Sequence, residues 1–72
     1  MSRQIQSPVT GTVWKIEVAV GGQADAGDDL IIVESMKMEI PVVTDSECVV
    51  KELRCSEGDA VTEGQVLLVV DP

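Results

Sequence analysis

Residues 58–71, GDAVTEGQVLLVVD, repeat the plan of residues 21–34, GGQADAGDDLIIVE, after a shift of 37 positions. The shift lays Gly21 on Gly58 and Gly27 on Gly64. It also lays Leu30-Ile31-Ile32-Val33-Glu34 on Leu67-Leu68-Val69-Val70-Asp71. Upstream, Val13 falls on Val50 and Ile16 on Leu53, and between the glycines Ala24 falls on Val61. Each copy reads as a strand, a glycine turn, a short apolar step, a second glycine turn and a final apolar strand. Two copies are too few for a solenoid. They predict two interlocked halves related by a pseudo-twofold axis and sharing one core.

Composition agrees with a sheet protein. Val, Ile and Thr make up 22 of the 72 residues, and β-branched side chains suit a pleated surface better than a helix. Thr12–Val20 alternates, with Trp14, Ile16, Val18 and Val20 expected on one face and Lys15 and Glu17 on the other. Leu30–Val33 and Val66–Val70 are continuous apolar runs of strand length, as buried strands require. Closely spaced turns favour an all-β sandwich or barrel. Residues 1–72 are expected to form a single domain, because a chain this short has no room for a second core.

The same counts exclude several functions. The chain has no His, so it offers no His general base, no Ser-His or Cys-His pair and no Cys-His metal site. Five basic residues stand against 13 acidic ones, a net charge of −8, and Trp14 is the one aromatic. Nucleic-acid binding, which needs basic patches and stacking rings, is not expected. Nor is an anionic membrane surface. No apolar run approaches the roughly 20 residues of a membrane span, and Met1–Gln6 is too polar for a signal peptide. Cys48 and Cys55 stand seven apart on what reads as one strand. An odd spacing places them on opposite faces, about 20 Å apart, too far for a disulfide. Cys55 shares the face of Leu53 and is expected in the core, with Cys48 nearer the surface. Reduced thiols point to the cytoplasm.

One segment has to bend. A single strand from Leu30 to Val43 would run about 46 Å, whereas a domain of this length is about 30 Å across. The repeat locates the bend. The second copy's last strand ends at Asp71, the mate of Glu34. The first should therefore end near Ser35, and the next strand should begin near Met38, with Met36-Lys37 at the tip. A two-residue type I′ turn needs positive φ at both central residues, which Met and Lys adopt reluctantly. Poor turn formers at a turn point to selection for something other than folding. Of the three lysines, Lys15 and Lys51 fall within predicted strands and Lys37 alone falls on the tip. Taken alone, these residues leave two readings open. Lys37 is either a solvated turn residue beside methionines that close the core, or a group presented to another protein.

Glu34-Ser35-Met36-Lys37-Met38-Glu39 resembles the attachment signature of biotinyl domains, in which a Met-Lys-Met triplet carries biotin on its lysine. Ser7-Pro8 followed by Gly11, the Gly21–Gly27 segment, Asp45 and Glu57-Gly58-Asp59 also stand where the biotinyl/lipoyl pattern has such residues. The resemblance runs from about Gln6 to Asp71. The short chain and the Ser35–Pro41 run are most similar to the small bacterial attachment-protein members. Ser35 departs from the family's usual Ala, and Cys48 from its usual Gly. If that Gly serves a positive φ, Cys48 is strained or the turn has shifted. There is no insertion of the kind that forms a thumb over biotin in some relatives.

The resemblance implies a flattened barrel of two four-stranded antiparallel sheets, with Lys37 on an exposed hairpin and both termini at the other end. It implies that Lys37 is biotinylated by a biotin protein ligase. The arm would then swing a carboxyl group between carboxylase and carboxyltransferase sites, the domain itself not being an enzyme. Met36 and Met38 would be adaptable contacts around the cofactor, and Glu34, Ser35 and Glu39 would be read by the ligase or partners. Gly21, Gly27, Gly58 and Gly64 would be structural turns. No metal is expected, and the domain is expected to be monomeric. Two alternatives stay open: a lipoyl carrier, or dual acceptor of biotin and lipoate, served by lipoylating enzymes, and an unmodified scaffold built on the same glycines.

Overall fold

The computed structural model describes residues 2–72. Its strands are β1 (Arg3–Gln6), β2 (Gly11–Ile16), β3 (Gln23–Ala24), β4 (Asp29–Ser35), β5 (Met38–Val43), β6 (Cys48–Leu53), β7 (Ala60–Val61) and β8 (Val66–Asp71). There is no helix among the described residues, so none long and apolar enough to cross a membrane. The strands form two antiparallel four-stranded sheets, ordered β1-β8-β6-β3 and β5-β4-β2-β7. The domain measures 32 × 19 × 18 Å, which confirms that Leu30–Val43 could not stay one straight strand.

The sequence repeat becomes a pseudo-twofold of the whole ladder. Val13↔Val33 in β2–β4 matches Val50↔Val70 in β6–β8. Val33↔Ile40 in β4–β5 has its mate in Arg3↔Val70 of β1–β8. Where the first half joins β4 to β5 through a turn, the second half pairs the start of β1 with the end of β8 with no turn between them. The glycine turns repeat as well: Gly21, Gly27, Gly58 and Gly64 all lie at φ between 88° and 92°. Their left-handed backbone is open to glycine at little cost.

Both sheets contribute to one core. Val13, Leu30, Ile31, Val33, Val42 and Val61 come from one, and Ala24, Cys48, Val50, Leu67, Leu68 and Val70 from the other. Leu30, Ile31, Leu67 and Leu68 are completely excluded from solvent, so cutting any of them to Ala would cost about 2–5 kcal/mol. Two hydroxyls are buried at mated positions. Ser7 Oγ donates to the Val9 carbonyl at 2.6 Å, and Thr44 Oγ1 to the Ser46 carbonyl at 2.7 Å. Satisfied in this way, neither carries a desolvation penalty.

Two expectations fail for one reason. The β2–β4 register slips between Val13 and Lys15, and the β6–β8 register slips between Val50 and Glu52. A bulge adds a residue on one strand and reverses the inward–outward parity beyond it. Val13 is therefore buried while Trp14 is 49% exposed, and β2 stops at Ile16 short of the exposed Val20. By the same slip Cys48 and Cys55 both turn inward as free thiols. Cys55 is in the core as expected, but Cys48, at 1% exposure, is no surface residue. Nor is Cys48 strained in φ, because Met36 and Lys37 are the positive-φ residues other than glycine among those described.

Candidate functional site

The β4–β5 hairpin is built as the sequence requires. Ser35 pairs with Met38 as the last rung, leaving Met36 and Lys37 as a two-residue loop. Their φ angles are 51° and 67°, the left-handed pair of a type I′ turn. Each L-residue held there costs about 1–2 kcal/mol. This is the strain anticipated from the turn chemistry.

The side chains of the tip face water. Met36 is 93% exposed and Met38 is 64% exposed, so neither closes the core. Lys37 is exposed and, among the described residues, has no carboxylate within ion-pair distance. Lys15 by contrast pairs with Glu17 at 3.2 Å and Lys51 with Asp71 at 3.8 Å. Glu34 and Glu39, both exposed, face each other on the rung behind Ser35 and Met38.

Beyond the Thr12↔Glu34 rung the hairpin outruns β2, and β5 is the edge strand. The overhang is held by other means. Ser35 Oγ donates to the Thr10 carbonyl at 2.9 Å, and the Glu63 N–H donates to Thr10 Oγ1 at 3.0 Å. Gly11 permits this approach, since a Cβ there would collide with the Glu34 carbonyl. Thr10 and Glu63 escaped the reading of the sequence because hydrogen bonds of long sequence separation leave no periodic pattern. One signal was available: their mates under the 37-residue shift, Glu47 and Ala26, differ from them in kind.

The four positive-φ glycines lie in turns other than this hairpin, Gly64 beside the Glu63 whose N–H reaches Thr10. No cluster of three or more acidic or thiol side chains is placed to hold a metal among the described residues. The arrangement can present one primary amine, free of a salt bridge, at the end of a rigid two-sheet body.

Fold and tip together define a class, a small all-strand domain that displays a lysine on a strained hairpin. Residues 3–70 match the biotin/lipoyl family model, described as "Biotin-requiring enzyme", and the chain belongs to this family. It is 50% identical over 60 residues to the "Biotin/lipoyl attachment protein" of Bacillus subtilis (strain 168), covering 83% of this chain and 82% of that one. It is 33% identical over 70 residues to the "Biotinylated protein TB7.3 homolog" of Mycobacterium leprae (strain TN), covering 97% and 99%. Among solved structures, Kluyveromyces lactis urea carboxylase superposes with a TM-score of 0.90 at 34% identity. That match takes in 97% of this chain but 6% of the carboxylase.

Proposed function

We propose that the domain is a carrier, covalently biotinylated on Lys37 by a biotin protein ligase. The observation that carries this reading is the left-handed Met36-Lys37 pair. A turn that accepts the cost of two unsuitable residues is explained if those residues are wanted for their side chains. Lys37 Nζ would attack an activated biotin carboxyl group, displace its leaving group and lose a proton, forming an amide. The charge would fall from −8 to −9, that is −8 minus the lost ammonium charge.

Bound biotin supplies the carriage of a carboxyl group. The chain supplies the mounting. The two-sheet body fixes the base of the arm, and the lysine stem gives it reach. Tethering holds the group near partner sites at an effective concentration of about millimolar. Met36 and Met38 offer flexible apolar contact to whatever enzyme receives the tip. Glu34 and Glu39 flank it with charge for a ligase or partner to read. The likeness to a domain within a urea carboxylase supports carboxylase and carboxyltransferase partners. The name of the Bacillus relative supports lipoate as a second cargo, delivered by lipoylating enzymes.

Intact-mass analysis after incubation with biotin, ATP and a biotin protein ligase tests the assignment. The expected result is one biotinyl group, mapped by peptide sequencing to Lys37. Lys37→Arg should take up none, and uptake by that variant would refute the site. A lipoyl mass on protein from the native host would favour the second cargo.

A further inference from the structure

The pseudo-twofold separates what the fold needs from what this end of the molecule adds. The strand ladder recurs in both halves. So do the turn bonds, as in Gly27 N–H to the Thr44 carbonyl and Gly64 N–H to the Ser7 carbonyl. The Ser35–Thr10–Glu63 stitch does not recur. The mates of its members are Pro72, Glu47 and Ala26; Pro72 has no hydroxyl to donate and Ala26 forms no side-chain-anchored bond to Glu47 among the described residues. The opposite end is tied differently, by Arg3 donating to Asp45 and Ser46, so the two hydrogen bonds through Thr10 belong to the lysine end alone.

Their placement gives them an effect. β2 supports β4 as far as Glu34, so the rung Ser35↔Met38 and the turn beyond it have no third strand beside them. Without the stitch, only the edge pairing of β4 with β5 would hold the tip. The Ser35 hydroxyl takes the place of the missing ladder bond at the last residue before the turn, two positions from Lys37. Thr10, its acceptor, is in turn anchored through its own hydroxyl to the turn before β8. Three loops are thereby fixed against each other.

We propose that Ser35 is a positioning residue: acting through Thr10, it sets the direction in which Lys37 leaves the barrel, so that a modifying enzyme meets a pre-oriented amine. The proposal rests on the reading of Lys37 as the modified residue. An oriented tip reduces the ordering cost of docking, so the hydroxyl acts on encounter with the ligase rather than on the chemical step.

Ser35→Ala, Ser35→Thr and the unaltered protein are compared by ligase kinetics and by amide ¹⁵N relaxation over residues 35–38. Loss of the hydroxyl should raise KM about three- to tenfold, the size of one net hydrogen bond, with kcat unchanged. Order parameters at 36–38 should drop from about 0.85 towards 0.6, and Ser35→Thr should restore both readouts. Unchanged KM and order in Ser35→Ala, or no rescue by Thr, would overturn the proposal. Relaxation needs no ligase. Should the unaltered protein accept no biotin, the assignment of Lys37 fails, and order parameters still decide whether Ser35 holds the tip.

Discussion

Glu34 and Glu39 stand directly opposite each other across β4 and β5, one rung behind the pair that closes the lysine hairpin. Opposed like charges on neighbouring strands are destabilising, and both carboxylates are exposed. The neck of the hairpin is therefore weaker than its sequence length requires. Glu39→Gln should raise unfolding free energy by about 0.2–1 kcal/mol in urea titrations. The gain should shrink as salt screens the pair. A variant less stable than the parent at low salt would show that the pair is not repulsive.

The turn itself stores a larger cost. Asn and Gly are the residues a type I′ loop prefers, whereas the chain has Met36 and Lys37 at φ 51° and 67°. Replacing both together, Met36→Asn with Lys37→Gly, should stabilise the domain by about 1–2 kcal/mol and abolish biotin uptake. Denaturant midpoints with an unchanged m-value check the first half, and intact mass checks the second. A lower midpoint would mean that the left-handed pair is not strained.

Much of this hairpin is legible in the sequence. Leu30–Val43 is too long for the domain, and the repeat ends one strand at Glu34, so the bend had one place to be. The Gly21–Gly27 and Gly58–Gly64 segments mark the paired turns because backbone of positive φ selects its residue directly. The bulges near Trp14 and Lys51 were not legible. Each adds a single residue to a strand whose alternation looks regular on either side, so parity carried past them gave the wrong face for Trp14 and Cys48. The Ser35–Thr10–Glu63 stitch was hidden for a different reason. It joins residues 25 and 53 positions apart, and such contacts exist only once the strands have paired.

Gly11 answers a packing demand, not a dihedral one. Its φ is not positive, yet a Cβ there would strike the Glu34 carbonyl and press on the Val33 side chain. Gly11→Ala should cost about 1–3 kcal/mol as overpacking. The damage should concentrate at the hairpin base, seen as faster hydrogen exchange at the Ser35 and Met38 amides than at core amides of β8. Uniform loss of protection across the domain would instead mean that the hairpin and barrel open as one unit.

Cys55 gives the domain a dependence on alkaline pH. Burial, followed by the nearby Asp59 carboxylate, pushes its thiol pKa up. The folded state thus holds the thiol proton more tightly than the unfolded chain, where an ordinary thiol ionises near pH 8.5. Below that range both states are protonated and the contribution is complete. As pH rises, the unfolded state ionises first, and stability declines until the folded thiol ionises too. Cys55→Val supplies the counterpart of Val18 in the other half and removes this ionisation. Between about pH 8 and 10, urea titrations should show the parent losing stability relative to the variant. Parallel curves would show that the Cys55 thiol titrates alike in both states.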